Sequence, residues 1–401
     1  MSLLSQRIQN VKPSPTLMIA AKAKALQAEG KDVIGLGSGE PDFDTPAHIK
    51  KAAILALREG FTKYTAVEGI GELRQAIIRR YAKDHGLTFT PDQVVVTVGG
   101  KQAFYNLAQA TLNPGDEVII PAPYWVSYPD MVLLADGKPV IVATAEANGF
   151  KITPEELEAA ITPKTRFLVI NSPSNPTGSA YTAEELTKLA GVLERHPHVW
   201  VISDDIYEKI VYKPFEFVTI TAVAPALQDR TVIVSGVSKA YSMTGWRIGY
   251  AVGPKEVIKA MVKMQSQSTS NAVSIAQRAA AVALAGPQKC IKPMVKAFRE
   301  RRDFCVDAFN AMPGVTCRTP EGAFYLFPNV AGLMNTTTPE GKPIRDSLEL
   351  SAYLLEAVGV AVVPGSAFGL DPYFRISFAT SMTDLEQAMV RIRKVAEVLT
   401  K

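Results

Sequence analysis

The chain has 401 residues, of which 47% are hydrophobic and 20% are charged, and its formal net charge at pH 7 is +4. This composition is typical of globular proteins, the length predicts more than one domain, and the lack of a long block of like charge argues against binding to nucleic acid or a membrane surface. The three cysteines have no metal-binding or redox spacing, the first residues do not form a signal-peptide pattern and no apolar run could span a membrane, so we expect a cytoplasmic protein.

Helical and strand patterns alternate along most of the chain. After a polar arm, the apolar spacing predicts helices at Leu17–Glu29, Thr45–Arg58 (with Thr45 as N-cap) and Ile70–Lys83. Short apolar strands, most of them separated by helical patterns, are then predicted at Val94–Val98, Glu117–Ile120, Val140–Val142, Phe167–Ile170, Trp200–Ser203, Thr231–Val234 and Gly249–Val252. This order predicts an α/β domain with a mainly parallel sheet. From about residue 286, short strands mixed with helices predict a smaller α+β domain.

Residues able to do chemistry follow the ends of these strands. In such sheets, ligands bind beyond the carboxyl ends of the strands. The residues at those positions are Gly100–Gln102, Tyr124 and Trp125, Asn175, Asp204 with Tyr207, and Lys239. Because all of these residues follow the carboxyl ends of strands, we expect them to share one site.

The stretch VIVSGVSKAYSMTGWRIGYA contains two cations in otherwise apolar and small surroundings, Lys239 and Arg247. Burial lowers the pKa of a lysine and yields the neutral amine that forms Schiff bases. An arginine can hold a phosphate through a forked contact. Together they suit pyridoxal phosphate, although two cations that snorkel from a strand end would give the same pattern.

The glycine-rich turn Gly99-Gly100-Lys101-Gln102 lies between a strand and a helix. Free backbone N–H groups and the helix dipole make such a turn a phosphate site, and the alternative is a plain tight turn. Three further glycines, Gly35, Gly37 and Gly39, partly match a dinucleotide-binding fingerprint, but no helix start follows them. We therefore expect them to let substrate approach the backbone.

Polar and aromatic residues supply the other candidate contacts. Asp204 suits a protonated pyridine nitrogen, with a helix N-cap as the alternative. Tyr207 is a candidate donor to the cofactor's phenolic oxygen, and Trp125 can stack on a flat ring; the alternative for both is core packing. Asn175 lies in a loop stiffened by prolines and can be held as a fixed donor, with plain turn chemistry as the alternative. Arg375, in the apolar run FRISF, needs a partner, which is either a substrate carboxylate or a structural salt bridge.

Eight motifs together resemble a class I aminotransferase, and within it the bacterial aspartate aminotransferase subgroup Ib. They are GEPDFDTP, KYTAVEGIGELR, GGKQA, PYWVSYP, NSPSNPTG, SDDIY, SKAYSMTGWRIGY and FRISFAT. The resemblance covers residues 5–395 and implies a pyridoxal-phosphate enzyme of fold type I with a seven-stranded sheet. It also implies a large domain at 46–285, a small domain at 286–401 joined by part of the arm 1–45, and a homodimer with shared active sites.

The resemblance assigns roles to individual residues. Lys239 is expected to bind the cofactor covalently and to move the proton, while Asp204 pairs with the ring nitrogen and Tyr207 with the phenolic oxygen. The full set of implied cofactor contacts is Gly100, Lys101, Gln102, Trp125, Asn175, Asp204, Tyr207, Ser238, Lys239, Arg247 and, toward the neighbouring subunit, Tyr64. One position departs from the family pattern: Gly236 stands where a phosphate-binding serine is common, so Ser238 or Ser235 would have to replace that hydroxyl.

The implied substrates are L-aspartate and L-glutamate, with 2-oxoglutarate or oxaloacetate as acceptors in a ping-pong cycle. The implied substrate contacts are Gly39, Trp125, Asn175, Arg375, Lys101 and Thr16, with Ser14 as an alternative to Thr16. Lys101 is assigned to the distal carboxylate. The alternatives are a prephenate, aromatic or alanine-type aminotransferase of the same fold, or a non-catalytic regulator that binds pyridoxal phosphate. Such regulators usually carry a DNA-binding domain, whereas only a short arm precedes this fold.

Overall fold

The computed structural model describes residues 3–11, 13 and 15–400, without the side chains of Thr16, Leu17 and Ala20. The helices are α1 Gln6–Gln9, α2 Pro15–Ala28, α3 Ala47–Arg58, α4 Gly71–His85, α5 Gly100–Thr111, α6 Ser127–Leu134, α7 Pro154–Ala160, α8 Ala183–Arg195, α9 Ile220–Val223, α10 Lys255–Ser266, α11 Ser274–Ala285, α12 Ile291–Asn310, α13 Ser347–Val358 and α14 Met382–Leu399. The strands are β1 Ile34–Gly35, β2 Val94–Thr97, β3 Glu117–Ala122, β4 Lys138–Ala143, β5 Thr165–Asn171, β6 Trp200–Asp204, β7 Thr231–Gly236, β8 Gly249–Val252, β9 Tyr325–Leu326, β10 Thr336–Thr337, β11 Pro343–Ile344, β12 Val360–Ala361, β13 Val363–Pro364 and β14 Phe374–Ser377.

The large sheet contains seven strands in the order β2-β8-β7-β6-β5-β3-β4. Strand β8 runs antiparallel to both of its neighbours, β2 and β7, and the pairs from β7 to β4 are all parallel. All seven predicted strands are present in this sheet. The predicted α/β architecture with a seven-stranded, mainly parallel sheet is therefore confirmed.

Both faces of this sheet are covered by helices, which explains the nearly continuous apolar character of its strands. Alternate side chains point to opposite faces: Val118 and Ile120 pack with residues of α5, α6 and α10, whereas Ile119 packs with residues of α7 and α8. The helices α3, α4 and α11 cover the β2, β8 and β7 end of the second face, where Val94 and Val96 are buried. The strand ends are thus held by a core on each side.

A second unit forms from α12 to α14 and a three-stranded sheet in the order β13-β14-β9. The segment before residue 45 joins this unit, because β1 pairs in parallel with β12 and the Ser377 N–H donates to the Leu36 carbonyl at 2.7 Å. These contacts support the predicted division, and we propose domains at 1–45, 46–285 and 286–401, with the first segment shared.

The start of α3 differs from the prediction that Thr45 is its N-cap. The helix begins at Ala47 after Pro46. The Thr45 hydroxyl instead donates to the Ser242 carbonyl at 2.6 Å and accepts from the Trp246 indole at 3.0 Å. The Thr45 side chain therefore makes long-range hydrogen bonds and does not cap α3. No described helix combines the length and apolar character needed to cross a membrane.

We predict that Gly249→Ala destabilises the fold, because a Cβ on Gly249 would lie 2.3 Å from both the Gly100 nitrogen and the Gly99 carbonyl carbon. These are backbone atoms at the start of α5, so overpacking should lower the unfolding free energy by about 1–3 kcal/mol. Urea denaturation followed by circular dichroism measures the change. Gly245→Ala is the control, since nothing lies within 4 Å of its added Cβ. Equal stability of the two variants would contradict the close approach.

Candidate active site

A cavity of about 430 Å³ opens at the edge of the large sheet where the parallel strands end. Most of the residues predicted for the site line it: Gly39, Gly100, Lys101, Trp125, Asn175, Asp204, Tyr207, Ser238, Lys239, Arg247 and Arg375. They come from the loops after β2, β3, β5, β6 and β7, from the segment after β1, and from β14 of the second unit. The carboxyl ends of five strands and two segments of the second unit therefore meet in one cavity.

The antiparallel strand β8 explains the position of Arg247. A strand that runs against its neighbours begins at the edge where they end, and Arg247 comes two residues before Gly249, the first residue of β8. Arg247 has a left-handed backbone conformation (φ 54°), which is uncommon for a residue with a side chain. The local backbone is thus adapted to turn this side chain toward the cavity.

The amine of Lys239 lies in the cavity and donates a hydrogen bond to the Gly39 carbonyl. Burial, and secondly the positive charge of Arg375, lower the pKa of Lys239 to about 8. A substantial fraction of this amine is neutral near pH 8, whereas an ordinary lysine is almost fully protonated there. The site therefore provides an amine that can act as a nucleophile or a base.

Asp204 ends β6 and is buried. Its Oδ2 accepts from the Tyr128 hydroxyl at 2.5 Å, and its Oδ1 accepts from the Ile206 N–H at 3.3 Å. Burial raises the pKa of Asp204 to about 6, although the Tyr128 hydrogen bond opposes that rise, so the group is mostly a carboxylate at neutral pH. The next residue, Asp205, instead accepts from Ser203 at 2.7 Å.

The glycine turn and Arg247 form a cradle for an anion. Helix α5 starts at Gly100, and a Cβ on Gly99 would lie 2.3 Å from Arg247 Nη2, so only glycine leaves room for the guanidinium. Among the described residues Arg247 bonds only to the carbonyls of Thr244 and Val98, and no carboxylate neutralises it. A helix N-terminus beside an unpaired guanidinium is an arrangement that favours an anion such as a phosphate.

The structure accounts for the glycine at position 236. A Cβ there would lie 2.9 Å from the Ile248 carbonyl oxygen and 3.0 Å from the Gly249 Cα, so a serine does not fit this backbone. Of the two candidate replacements, Ser238 lines the cavity, whereas Ser235 is buried in β7 outside the cavity lining.

Arg375 has a fully buried guanidinium between the two units of the fold. Its Nη1 donates to Asn175 Oδ1 at 2.9 Å and its Nη2 to the Gly37 carbonyl at 2.6 Å, while Nε has no partner in the described part of the chain. Its Cζ lies 4.6 Å from the Tyr325 ring centroid and 5.0 Å from that of Phe368. The alternative of a structural salt bridge is not realised among the described residues, so the positive charge is available to a carboxylate.

Lys101 lies in the first turn of α5 and also lines the cavity. Its amine is 5.1 Å from the centroid of the Trp125 ring. Burial, and secondly Arg247, lower the pKa of Lys101. The cavity therefore holds a further cation besides Lys239, Arg247 and Arg375.

Two tyrosines of the site were not predicted from the sequence. Tyr128 donates to Asp204, and the Tyr325 hydroxyl lies 2.8 Å from that of Tyr207. Tyr128 lies on α6 three residues after Trp125, and this spacing is the only local signal for it. Tyr325 belongs to an apolar strand pattern that does not distinguish it from a core tyrosine.

Three predicted residues are not found among the described lining of this cavity: Gln102, Tyr64 and Thr16. Tyr64 is not expected there, since its predicted contact is with the phosphate of the neighbouring subunit. The Gln102 side chain accepts from the Val98 N–H at 2.7 Å and donates to Thr269 at 2.7 Å, outside the cavity lining, and its contact with the phosphate stays a prediction. Tyr64 is 92% exposed and lies away from the cavity of its own chain. The Thr16 side chain and the alternative Ser14 lie outside the described residues.

Comparisons with known proteins agree over almost the whole chain. Residues 31–392 match the family model for aminotransferase class I and II. The chain is 57% identical over 393 residues to the aspartate/prephenate aminotransferase of Cereibacter sphaeroides, covering 98% of both, and 52% identical to the aspartate aminotransferase of Rhizobium meliloti, covering 99% of this chain and 97% of the relative.

Solved structures show the same similarity. The crystal structure of the aspartate aminotransferase from Rhizobium meliloti superimposes with a TM-score of 0.97 at 52% identity, with 100% of both chains covered. The aspartate aminotransferase of Thermus thermophilus with maleate gives a TM-score of 0.91 at 45% identity, covering 98% of this chain and 100% of that one.

Proposed function

The chain belongs to the class I and II aminotransferase family, and we propose that it transfers the amino group of L-aspartate or L-glutamate to 2-oxoglutarate or oxaloacetate with pyridoxal phosphate bound to Lys239. Its fold is the fold type I of the solved aspartate aminotransferases. Membership in the family makes the protein an aminotransferase and implies pyridoxal phosphate as the cofactor, with amino acids and 2-oxo acids as substrates. The finer assignments below are our proposal.

The observation that carries this proposal is the match between the cavity and the chemical groups of pyridoxal phosphate. The cofactor has an aldehyde, a pyridine nitrogen, a phenolic oxygen and a phosphate, and each has a counterpart among the lining residues. Lys239 offers an amine of lowered pKa, Asp204 a buried carboxylate, Tyr207 a hydroxyl and Arg247 a guanidinium beside a helix start. Ser238 is the proposed phosphate hydroxyl in place of the serine excluded at Gly236.

When bound, pyridoxal phosphate supplies an aldehyde that takes up amino groups and a ring that accepts electrons from the substrate Cα. Lys239 holds the cofactor and, once displaced by the substrate amine, moves the Cα proton as general base and acid. Asp204 remains a carboxylate and keeps the ring nitrogen protonated. Trp125 stacks on the ring, and Tyr207 with Asn175 stabilises the phenolic oxygen.

A dicarboxylate substrate explains why this cavity holds cations beyond those assigned to the cofactor. Among the described residues Arg375 has no carboxylate partner, and its planar fork fits the α-carboxylate. Lys101 is the proposed partner of the distal carboxylate, with Thr16 as a supporting hydroxyl. Asn175, which accepts from Arg375, and the Gly39 backbone, which lines the same cavity, are further proposed substrate contacts.

Prephenate is a second candidate substrate, because it also presents a carboxylate distant from its reacting group. Relatives from Cereibacter sphaeroides and Nitrosomonas europaea, 57% and 55% identical to this chain, carry the name aspartate/prephenate aminotransferase. The alternative of a non-catalytic regulator is not favoured, since these relatives match the chain over nearly its full length and are named as enzymes.

We predict that the purified holoenzyme has a visible absorption band that decreases when L-aspartate is added and returns with 2-oxoglutarate. Lys239→Ala should lack the covalent band. Uptake of added cofactor by the apoenzyme should accelerate as the pH rises through about 8, because the neutral amine of Lys239 forms above its pKa.

A panel of amino donors, with prephenate among the acceptors, should give the highest kcat/KM for the dicarboxylic amino acids. An absent band, or a preference for L-alanine or an aromatic donor, would overturn the proposal.

We predict that Lys101→Ala raises the KM for L-aspartate about tenfold or more, since a hydrogen bond between charged groups is worth about 1.5–3 kcal/mol. The kcat/KM for L-alanine, which lacks a distal carboxylate, should change much less. Steady-state kinetics with both donors separate the two effects. Lys259→Ala, an exposed lysine on α10, serves as the matched control. An unchanged KM for L-aspartate in Lys101→Ala would remove Lys101 from substrate recognition.

We also propose a homodimer with shared active sites. The helices α3 and α11 pack together, and these helices and the residue before α11 expose several large apolar side chains in the single chain: Ile54, Leu55, Leu57, Val273 and Val282. Apolar residues concentrated in this way are typical of protein interfaces. Tyr64 follows α3 and is 92% exposed, which suits a side chain that completes the phosphate site of a second copy.

The expected result of Leu55→Glu is a shift from dimer to monomer in light scattering coupled to gel filtration, with weaker retention of the cofactor. A buried charge without a partner would strongly destabilise such an interface. Leu348→Glu is the control, because Leu348 is similarly exposed (58% against 54%) but lies on α13 of the second unit. A Leu55→Glu protein that stays dimeric would exclude the α3–α11 face as the interface.

A further inference from the structure

Tyr325 contacts three parts of the cavity that the sequence alone does not connect. Its hydroxyl lies 2.8 Å from the Tyr207 hydroxyl, and its ring centroid lies 4.6 Å from the Arg375 guanidinium carbon. A Cβ added to Gly39 would lie 2.8 Å from the same hydroxyl, so Gly39 makes room for it. Tyr325 is 1% exposed and lies in β9, beside the strand β14 that carries Arg375.

A bound cofactor would decide which hydroxyl donates in the hydrogen bond between Tyr207 and Tyr325. A phenol has one proton to donate, and either tyrosine can be the donor when only the pair is present. Among the described residues, each hydroxyl has the other as its only hydrogen-bond partner. If Tyr207 donates to the cofactor's phenolic oxygen, as the proposed function requires, Tyr325 must donate to Tyr207. The proton of Tyr325 has no other described acceptor.

We propose that Tyr325 is a positioning residue that directs the Tyr207 proton to the phenolic oxygen of the cofactor and fixes the Arg375 guanidinium for the substrate carboxylate. This inference rests on the proposed function. A chain of two hydroxyls makes the second a stronger donor, because each hydrogen bond polarises the next. The aromatic face restrains the guanidinium and attracts its charge. One side chain of the second unit thereby supports both the cofactor contact and the substrate contact.

The first test uses the holoenzyme without substrate and measures the pKa at which its visible absorption changes. In the high-pH form the phenolic oxygen carries the full negative charge, so a donor to that oxygen lowers this pKa. Tyr325→Phe weakens the donor and should raise the pKa by roughly half a unit to one unit, the size of one ordinary hydrogen bond. Tyr207→Phe should raise it further.

The double variant separates positioning from a general structural effect. In the Tyr207→Phe background, Tyr325→Phe should no longer change the pKa, because the hydroxyl through which it acts is absent. Tyr373→Phe is the matched control, since that tyrosine is also buried in the second unit but does not line the cavity. Its hydroxyl donates to Glu146 at 3.2 Å. An equal shift in both backgrounds, or no shift in Tyr325→Phe, would overturn the inference.

The second test measures the contact with Arg375. The dissociation constant of succinate, a dicarboxylate that cannot react, should be unaltered in Tyr373→Phe and nearly unaltered in Tyr325→Phe, which keeps the aromatic face beside Arg375. Tyr325→Leu removes the aromatic face and should weaken succinate binding roughly threefold or more. Wild-type binding in Tyr325→Leu would refute the guanidinium part of the proposal.

Folding and the proposed function are checked separately. If Tyr325→Phe does not fold, Gly39→Ala provides a second route, because its Cβ displaces the Tyr325 hydroxyl and should raise the same pKa. An absent visible band, or a Tyr207→Phe protein with the wild-type pKa, would mean that the proposed function fails. A band that responds to Tyr207→Phe but not to Tyr325→Phe or Gly39→Ala would mean that this inference alone fails.

Discussion

The buried positive charge of Arg375 is the constraint on which the electrostatics of the cavity depend. Its guanidinium is 2% exposed and binds two neutral carbonyl-type oxygens rather than a carboxylate among the described residues. Burying a charge without a counter-ion costs several kcal/mol, and an anionic ligand would offset part of that cost. After burial, the same charge is the second cause of the lowered pKa of Lys239, so the proposed carboxylate contact and the reactivity of the amine are linked through Arg375.

The second organising feature is the reversal of β8 within an otherwise parallel sheet. Its first residue, Gly249, pairs with Thr97 on one side and Gly236 on the other, so three strand ends meet with almost no side chain between them. The close approach brings Arg247 against the start of α5 and leaves no room for a serine at Gly236. The proposed phosphate cradle and the departure from the family pattern therefore have one steric cause.

The second unit completes the cavity from the opposite side. Strand β14 supplies Arg375, β9 supplies Tyr325, and the segment after β1 supplies the Gly37 and Gly39 carbonyls that accept from Arg375 and Lys239. Two of these segments are far apart in the chain and meet only because β1 pairs with β12 and Leu36 bonds to β14. The proposed substrate contacts thus depend on contacts between units, whereas most of the proposed cofactor contacts lie at the edge of one sheet.

The sequence by itself determined the seven strands of the large sheet and the residues that follow their ends, because apolar periodicity and strand-end chemistry are local properties. It also indicated the family through motifs that contain Asp204, Lys239 and Arg375. Only the tertiary structure decided which hydrogen bonds these residues make. In the structure Thr45 donates to the distant Ser242 instead of capping a helix, and Gln102 bonds to Val98 and Thr269. Tyr128 contacts Asp204, and Tyr325 contacts Tyr207. Such contacts join residues up to about 200 positions apart, and no local pattern encodes which buried hydroxyl reaches which partner.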